Sequence, residues 1–89
     1  MPKKTVTVSN EMGLHARAAA ALAQLSTQFN SDVFVFCRDI EVDGKSIMGV
    51  MMLAAPSGSN LTIRAEGEDA QIAVEQLAAL VNNRFGEEK

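Results

Sequence analysis

The chain opens on an alternation. Thr5, Val6, Thr7 and Val8 place β-branched polar and apolar residues in turn, and that period of two predicts a strand over residues 5–8 with one buried face. Residues 10–13, ending in Gly13, break it. Residues 16–29 are rich in Ala and Leu. Ala18, Ala21, Leu22, Leu25 and Phe29 recur there at helical spacing, which predicts an amphipathic helix stopped by Asn30, Ser31 and Asp32. The β-branched and aromatic run at residues 33–37 reads as a strand. A tight turn at Arg38 and Asp39 leads to a short second strand over 40–42, and Asp43-Gly44 ends it. Residues 47–53 are apolar but contain Gly49 and follow a serine, so a short helix with Ser46 as N-cap is preferred to a strand. A Pro-Ser-Gly-Ser loop at 56–59 precedes an alternating strand over 61–65. Asp69 opens a last helix with apolar positions Ala70, Ala73, Val74, Leu77, Leu80 and Val81. Glu68 and Asp69 stand at its start, Arg84 near its end and Gly86 just beyond, all favourable to the helix dipole.

The predicted order is β-α-β-β-α-β-α, an α+β arrangement with one sheet and its helices packed on one face. Periodicity leaves the strand order open, and a ferredoxin-like split β-α-β is the alternative with a similar element list. With 89 residues, a chain of this length hides only about 60–65% of the surface its unfolded form exposes, so one domain spanning 1–89 is expected. The 47% hydrophobic and 21% charged content is globular in kind.

One cysteine excludes an internal disulfide, and one cysteine with one histidine supplies too few ligands for zinc, so no metal and no cofactor are expected. The longest apolar runs, 18–23 and 50–55, fall far short of the roughly 20 residues that span a bilayer. The N-terminal Met-Pro-Lys-Lys-Thr lacks a signal-type apolar stretch, and a cytoplasmic protein without membrane insertion is the expectation. The net charge of −3 and the scattering of the eight basic residues weigh against nucleic acid, which needs a clustered basic face.

Two segments carry chemistry. Gly13-Leu14-His15-Ala16-Arg17 places the one histidine where a loop feeds the first helix. Helix-start N–H groups and the positive dipole end disfavour an imidazolium and favour an anion. A neutral imidazole there is a nucleophile, a phosphate attached to it would meet those N–H groups, and Arg17 could add a fixed positive charge. An ordinary solvated or capping histidine is the plainer alternative. Cys37, in an apolar strand, reads as an inert core thiol. Nothing in the spacing supplies a carboxylate partner for His15.

The second segment runs from Lys45 to Leu53. If Val50 and Leu53 face the core, Ile47, Met48 and Met51 point to solvent, and flexible methionines suit several differently shaped partners. A more deeply buried helix is the alternative. Phosphate on Ser46 would sit at a helix start and put about two negative charges beside that apolar patch.

These two segments, together with Ala65-Glu66-Gly67-Glu68-Asp69-Ala70, resemble the HPr family. HPr is the histidine-containing phosphocarrier of the bacterial phosphoenolpyruvate-dependent phosphotransferase system, and the resemblance runs the length of the chain. It implies an open-faced β-sandwich, a four-stranded antiparallel sheet with three helices on one side. It implies that His15 takes phosphate from Enzyme I through Nδ1 and passes it to Enzyme IIA domains in sugar uptake, with Arg17 supporting the phosphate. Ser46 would be the regulatory serine, a target of HPr kinase/phosphorylase in lineages that possess it. Leu14, Ala20, Ile47, Met48 and Met51 would form the docking surface of a monomer that is turned over by enzymes and is not itself a stand-alone catalyst. Ala18 departs from the family, which usually has proline there. Three other readings compete: a signalling paralogue of the nitrogen branch, a Ser46-only interaction module, and an unrelated small nucleic-acid-binding domain.

Overall fold

The computed structural model describes residues 2–88. Strand β1 (Lys3–Thr7), helix α1 (Ala16–Ser26), strands β2 (Asp32–Cys37) and β3 (Ile40–Asp43), helix α2 (Ile47–Met52), strand β4 (Asn60–Glu66) and helix α3 (Ala70–Asn82) follow in the predicted order, with a 3-10 turn at Arg84–Gly86. The sheet runs β1-β4-β2-β3 and every pairing is antiparallel. With β4 and β2 central, the ferredoxin-like alternative, which centres its first and third strands, is excluded.

Alternation explains why only one face of the sheet is covered. Val6, Val33, Val35, Cys37, Leu61, Ile63 and Ala65 point inward and are buried against the helices. The other face carries Thr5 and Thr62, whose hydroxyls meet at 2.9 Å, and Phe34 and Phe36, half covered by the Arg64 guanidinium at 4.6 and 5.7 Å from their ring centroids. From the helix side, Leu22, Val50, Leu53, Val74, Leu77 and Val81 close the core.

Two expectations need correction, both in α1. Helix α1 ends at Ser26, not Phe29. The Ser26 hydroxyl donates to the Leu22 carbonyl and the Thr27 hydroxyl to the Gln24 carbonyl, while the N–H groups of Gln28 and Phe29 donate only three residues back. Side-chain competition for these carbonyls tightens and ends the helix. Its buried stripe is Ala18, Ala19, Leu22, Ala23 and Ser26, so Ala21 sits at the edge and Leu25 and Phe29 are only partly buried. Arg84 stands near the end of α3 as expected, two residues past Asn82, its guanidinium donating to the Glu88 carbonyl at 2.9 Å.

Asp69 stands at the N-cap of α3, yet its side chain makes no cap bond. The carboxylate instead accepts from the Ser31 hydroxyl and from the N–H groups of Asn30 and Ser31, both at 2.9 Å. It thereby ties the start of α3 to the turn that leads into β2. The Ser31 hydroxyl first, then the backbone donors, hold this carboxyl below its ordinary value of 3.8. A depressed folded-state pKa stabilises the fold above the unfolded value and ceases to do so as pH falls through the folded one. Asp69→Asn is therefore expected to lower the thermal midpoint at pH 7 and to flatten its fall below about pH 4, as read by circular dichroism across pH 3–7. Superimposable midpoint-against-pH curves for the two proteins would contradict the assignment.

Candidate functional site

His15 is the N-cap residue of α1, in extended conformation, and its side chain makes no cap bond. The N–H groups of Ala16, Arg17 and Ala18 consequently have no carbonyl within the helix and no cap to receive them, the donor array expected to favour an anion. The approach to His15 is shaped by Gly13, whose φ is +68°. There the chain lies so close to the loop after α2 that Leu14 N–H donates to the Ala55 carbonyl at 2.8 Å. Leu14 itself is only 4% exposed and packs in the core. It therefore leaves the docking surface expected of it, because the hydrogen bond that anchors the loop also carries its side chain inward.

The feature that sequence reasoning missed is Glu87. Its Oε2 accepts from His15 Nε2 at 2.5 Å, from 72 residues away. Its Oε1 accepts from the Asn10 amide at 2.9 Å, and the same amide donates to the Gly13 carbonyl at 2.7 Å. Asn10, fully buried, thus joins the loop before His15 to the C-terminal tail. The tail reaches this position by a sharp reversal after α3. Arg84, Phe85 and Gly86 all take positive φ, 57°, 55° and 84°. Two non-glycine residues in that region cost about 1–2 kcal/mol each. Burying the Phe85 ring against the core, worth about 1.5–3 kcal/mol, offsets much of it. The Asn10 amide first, then the His15 hydrogen bond, with smaller contributions from the charges of His15 and Arg17, hold the Glu87 carboxyl below its ordinary value of 4.5.

With Glu87 ionised, its Oε2 can only accept, so Nε2 carries a proton and any lone pair available on the ring is that of Nδ1. An open hollow of about 520 Å³ adjoins the ring, lined by Glu11, Met12, His15, Ala16, Arg17 and Glu87. Arg17 is exposed at its edge.

Across from α1, α2 takes the predicted form. The Ser46 hydroxyl accepts from Gly49 N–H at 3.0 Å as N-cap, and Arg38 donates to the Leu53 carbonyl at 3.0 Å at the other end. Val50 and Leu53 are buried, while Ile47, Met48 and Met51 are exposed as expected. Met12 and Met52, which the reading of the patch omitted, are exposed too, and Ala20 on α1 is half-buried. Cys37 is buried in the sheet core.

Ala18 is the third residue of α1, where the backbone N–H has no helical acceptor. Ala18→Pro is therefore expected to change stability by no more than about 1 kcal/mol, whereas Ala21→Pro, inside the helix, is expected to cost about 3 kcal/mol or more. Urea denaturation of the two variants checks both. A loss at residue 18 equal to that at residue 21 would contradict the placement of the helix start.

Fold and site together define a class: an open-faced α+β sandwich that presents a histidine at the start of a helix. A family model described as PTS HPr component phosphorylation site matches residues 2–83. The phosphocarrier protein HPr of Cupriavidus necator is 51% identical over 87 residues, 98% of each chain. The crystal structure of HPr-C-His from Thermoanaerobacter tengcongensis superposes with a TM-score of 0.94 at 38% identity, covering 100% of both chains. An HPr dimer from the same organism superposes at 0.77, also at 38% identity, over 98% of this chain and 100% of that one. The chain belongs to the HPr family, the phosphocarrier component of the phosphotransferase system.

Proposed function

We propose that His15 is the phosphoryl acceptor, charged by Enzyme I at the expense of phosphoenolpyruvate and discharged to Enzyme IIA domains. The observation that carries this reading is the His15 Nε2–Glu87 hydrogen bond. It holds the ring proton on Nε2, the nitrogen that does not react, and orients the ring, so that the Nδ1 lone pair is the nucleophile. In the transfer the P–N bond of the donor breaks as a P–N bond to Nδ1 forms, and the reverse exchange passes the group to the acceptor protein. The phosphate's charge is met by Arg17 and by the first-turn N–H groups of α1. The chain holds the group between enzymes and does not act alone as a catalyst, and residues 1–89 work as one carrier domain in the cytoplasm.

Docking falls to the apolar surface of Ile47, Met48 and Met51 with Ala20 beside it, and the short lifetime of such contacts suits a monomer. Light scattering tests that point, and a stable dimer such as the one known from T. tengcongensis would count against it. Ser46, half-buried at the head of α2, is the regulatory position, and phosphate there would set its charge beside the docking patch. A carrier is favoured over a module that acts through Ser46 alone, because His15, Arg17 and Glu87 are assembled together; between branches that share this chemistry, the sugar branch is the reading proposed. Transfer from the phosphorylated chain to sugar-type and to nitrogen-type Enzyme IIA proteins, measured side by side, separates these. Faster transfer to the sugar type is expected. Transfer to the nitrogen type alone would overturn the branch assignment and leave the carrier chemistry standing.

A further inference from the structure

Sulfur in this molecule is distributed unevenly. The four methionines among the described residues are Met12, Met48, Met51 and Met52, and all are exposed, three of them at 70, 76 and 74% for Met12, Met48 and Met52. The core is built from Leu, Ile, Val, Ala and Phe, and its one sulfur is the buried thiol of Cys37. Met48, Met51 and Met52 stand at i, i+3 and i+4 and so share one side of α2. Met12 borders the hollow beside His15. Every accessible thioether among the described residues thus lies on the proposed docking surface, beside it on the same side of α2, or at the phosphoryl site.

We infer that this methionine surface is an oxidation switch, in which peroxide converts the docking face from apolar to polar and weakens phosphoryl transfer without disturbing the fold. The inference rests on the docking role proposed above. In the step, a thioether sulfur attacks one oxygen of a hydroperoxide, the O–O bond breaks and an S–O bond forms. Sulfur is oxidised by two electrons to the sulfoxide, and the other oxygen leaves with a proton as water or alcohol. Reduction by a dithiol-dependent sulfoxide reductase returns the thioether and releases the oxygen as water. A sulfoxide buried in a protein interface carries a strong acceptor into an apolar contact, and such desolvation weakens association by about tenfold or more. Core packing involves none of these side chains, which separates this modification from ordinary oxidative unfolding.

The test uses the whole chain, treated with hydrogen peroxide and freed of it with catalase before Enzyme I and phosphoenolpyruvate are added. Peptide mass mapping should place oxygen on Met12, Met48, Met51 and Met52, with the thermal midpoint unchanged within about 3 °C. The KM for this chain as acceptor should rise about tenfold or more with kcat little altered, and sulfoxide reductases should restore it. A variant carrying Met12→Leu, Met48→Leu, Met51→Leu and Met52→Leu has no thioether on this surface, so its own KM, whatever its starting value, should not change on peroxide treatment. An unchanged KM in the fully oxidised protein, or an equal loss in the leucine variant, would overturn the switch while the carrier role stood. Failure of the untreated protein to accept phosphate would overturn the carrier reading itself and the switch with it.

Discussion

His15→Ala is expected to abolish phosphate acceptance from Enzyme I and to leave the fold intact. The chain has one histidine, so no second imidazole can substitute. What the fold loses is small. The imidazole is partly open to solvent, at 24% exposure, and its side chain bonds Glu87. Glu87 keeps the Asn10 amide at 2.9 Å, and the Phe85 ring still anchors the tail. A drop in thermal midpoint of no more than about 5 °C is the corresponding expectation. Phosphate uptake is read by intact mass and the fold by circular dichroism. Uptake retained by the variant would remove His15 from its assigned role.

Gly13→Ala is expected to be the most damaging single-methyl addition near the site. The φ of +68° alone costs an L-residue about 1–2 kcal/mol. The added carbon would stand 2.6 Å from the Ala55 carbonyl oxygen and 3.0 Å from Pro56 Cα, both backbone atoms. Those atoms cannot rotate away as a flexible side chain would, so the loops must part. The Leu14–Ala55 hydrogen bond goes with them, worth about 1 kcal/mol. The summed loss is about 2–3 kcal/mol, measurable as a lower urea midpoint. The same displacement moves the residue next to His15, and misplacement of a reacting group by about 1 Å slows transfer by up to about a hundredfold. Wild-type stability with a wild-type rate of acceptance would show that the approach of these two loops is not needed.

The order and kind of the elements were legible because their signals are local. The strand alternation at Leu61, Thr62 and Ile63 needs no neighbour to be read, and neither does the serine cap before Ile47. The rotation of α1 about its axis was not legible. Alanine at 18–21 and 23 offers no contrast between faces, so only the partners of the helix, α2 and α3, decide that Ala19 and Ala23 go inward while Ala21 does not. Strand order was silent for a similar reason, since pairing is a relation between distant segments. His15, Arg17, Ser46 and the exposed side of α2 could be read from position within a single element. Glu87 could not, because three consecutive left-handed residues have to fold the tail back across the molecule first. Gly86 was the one local hint of that reversal. Leu14 is buried where a surface position was expected, because of the Ala55 contact, which no spacing announces.

The central claim is that His15 carries phosphate. The protein is incubated with active Enzyme I and phosphoenolpyruvate, and its intact mass is measured before and after acid treatment. The account predicts one added phosphate that acid removes, the signature of a phosphohistidine, which in this chain can only be His15. No added phosphate, or one that survives acid, would contradict it.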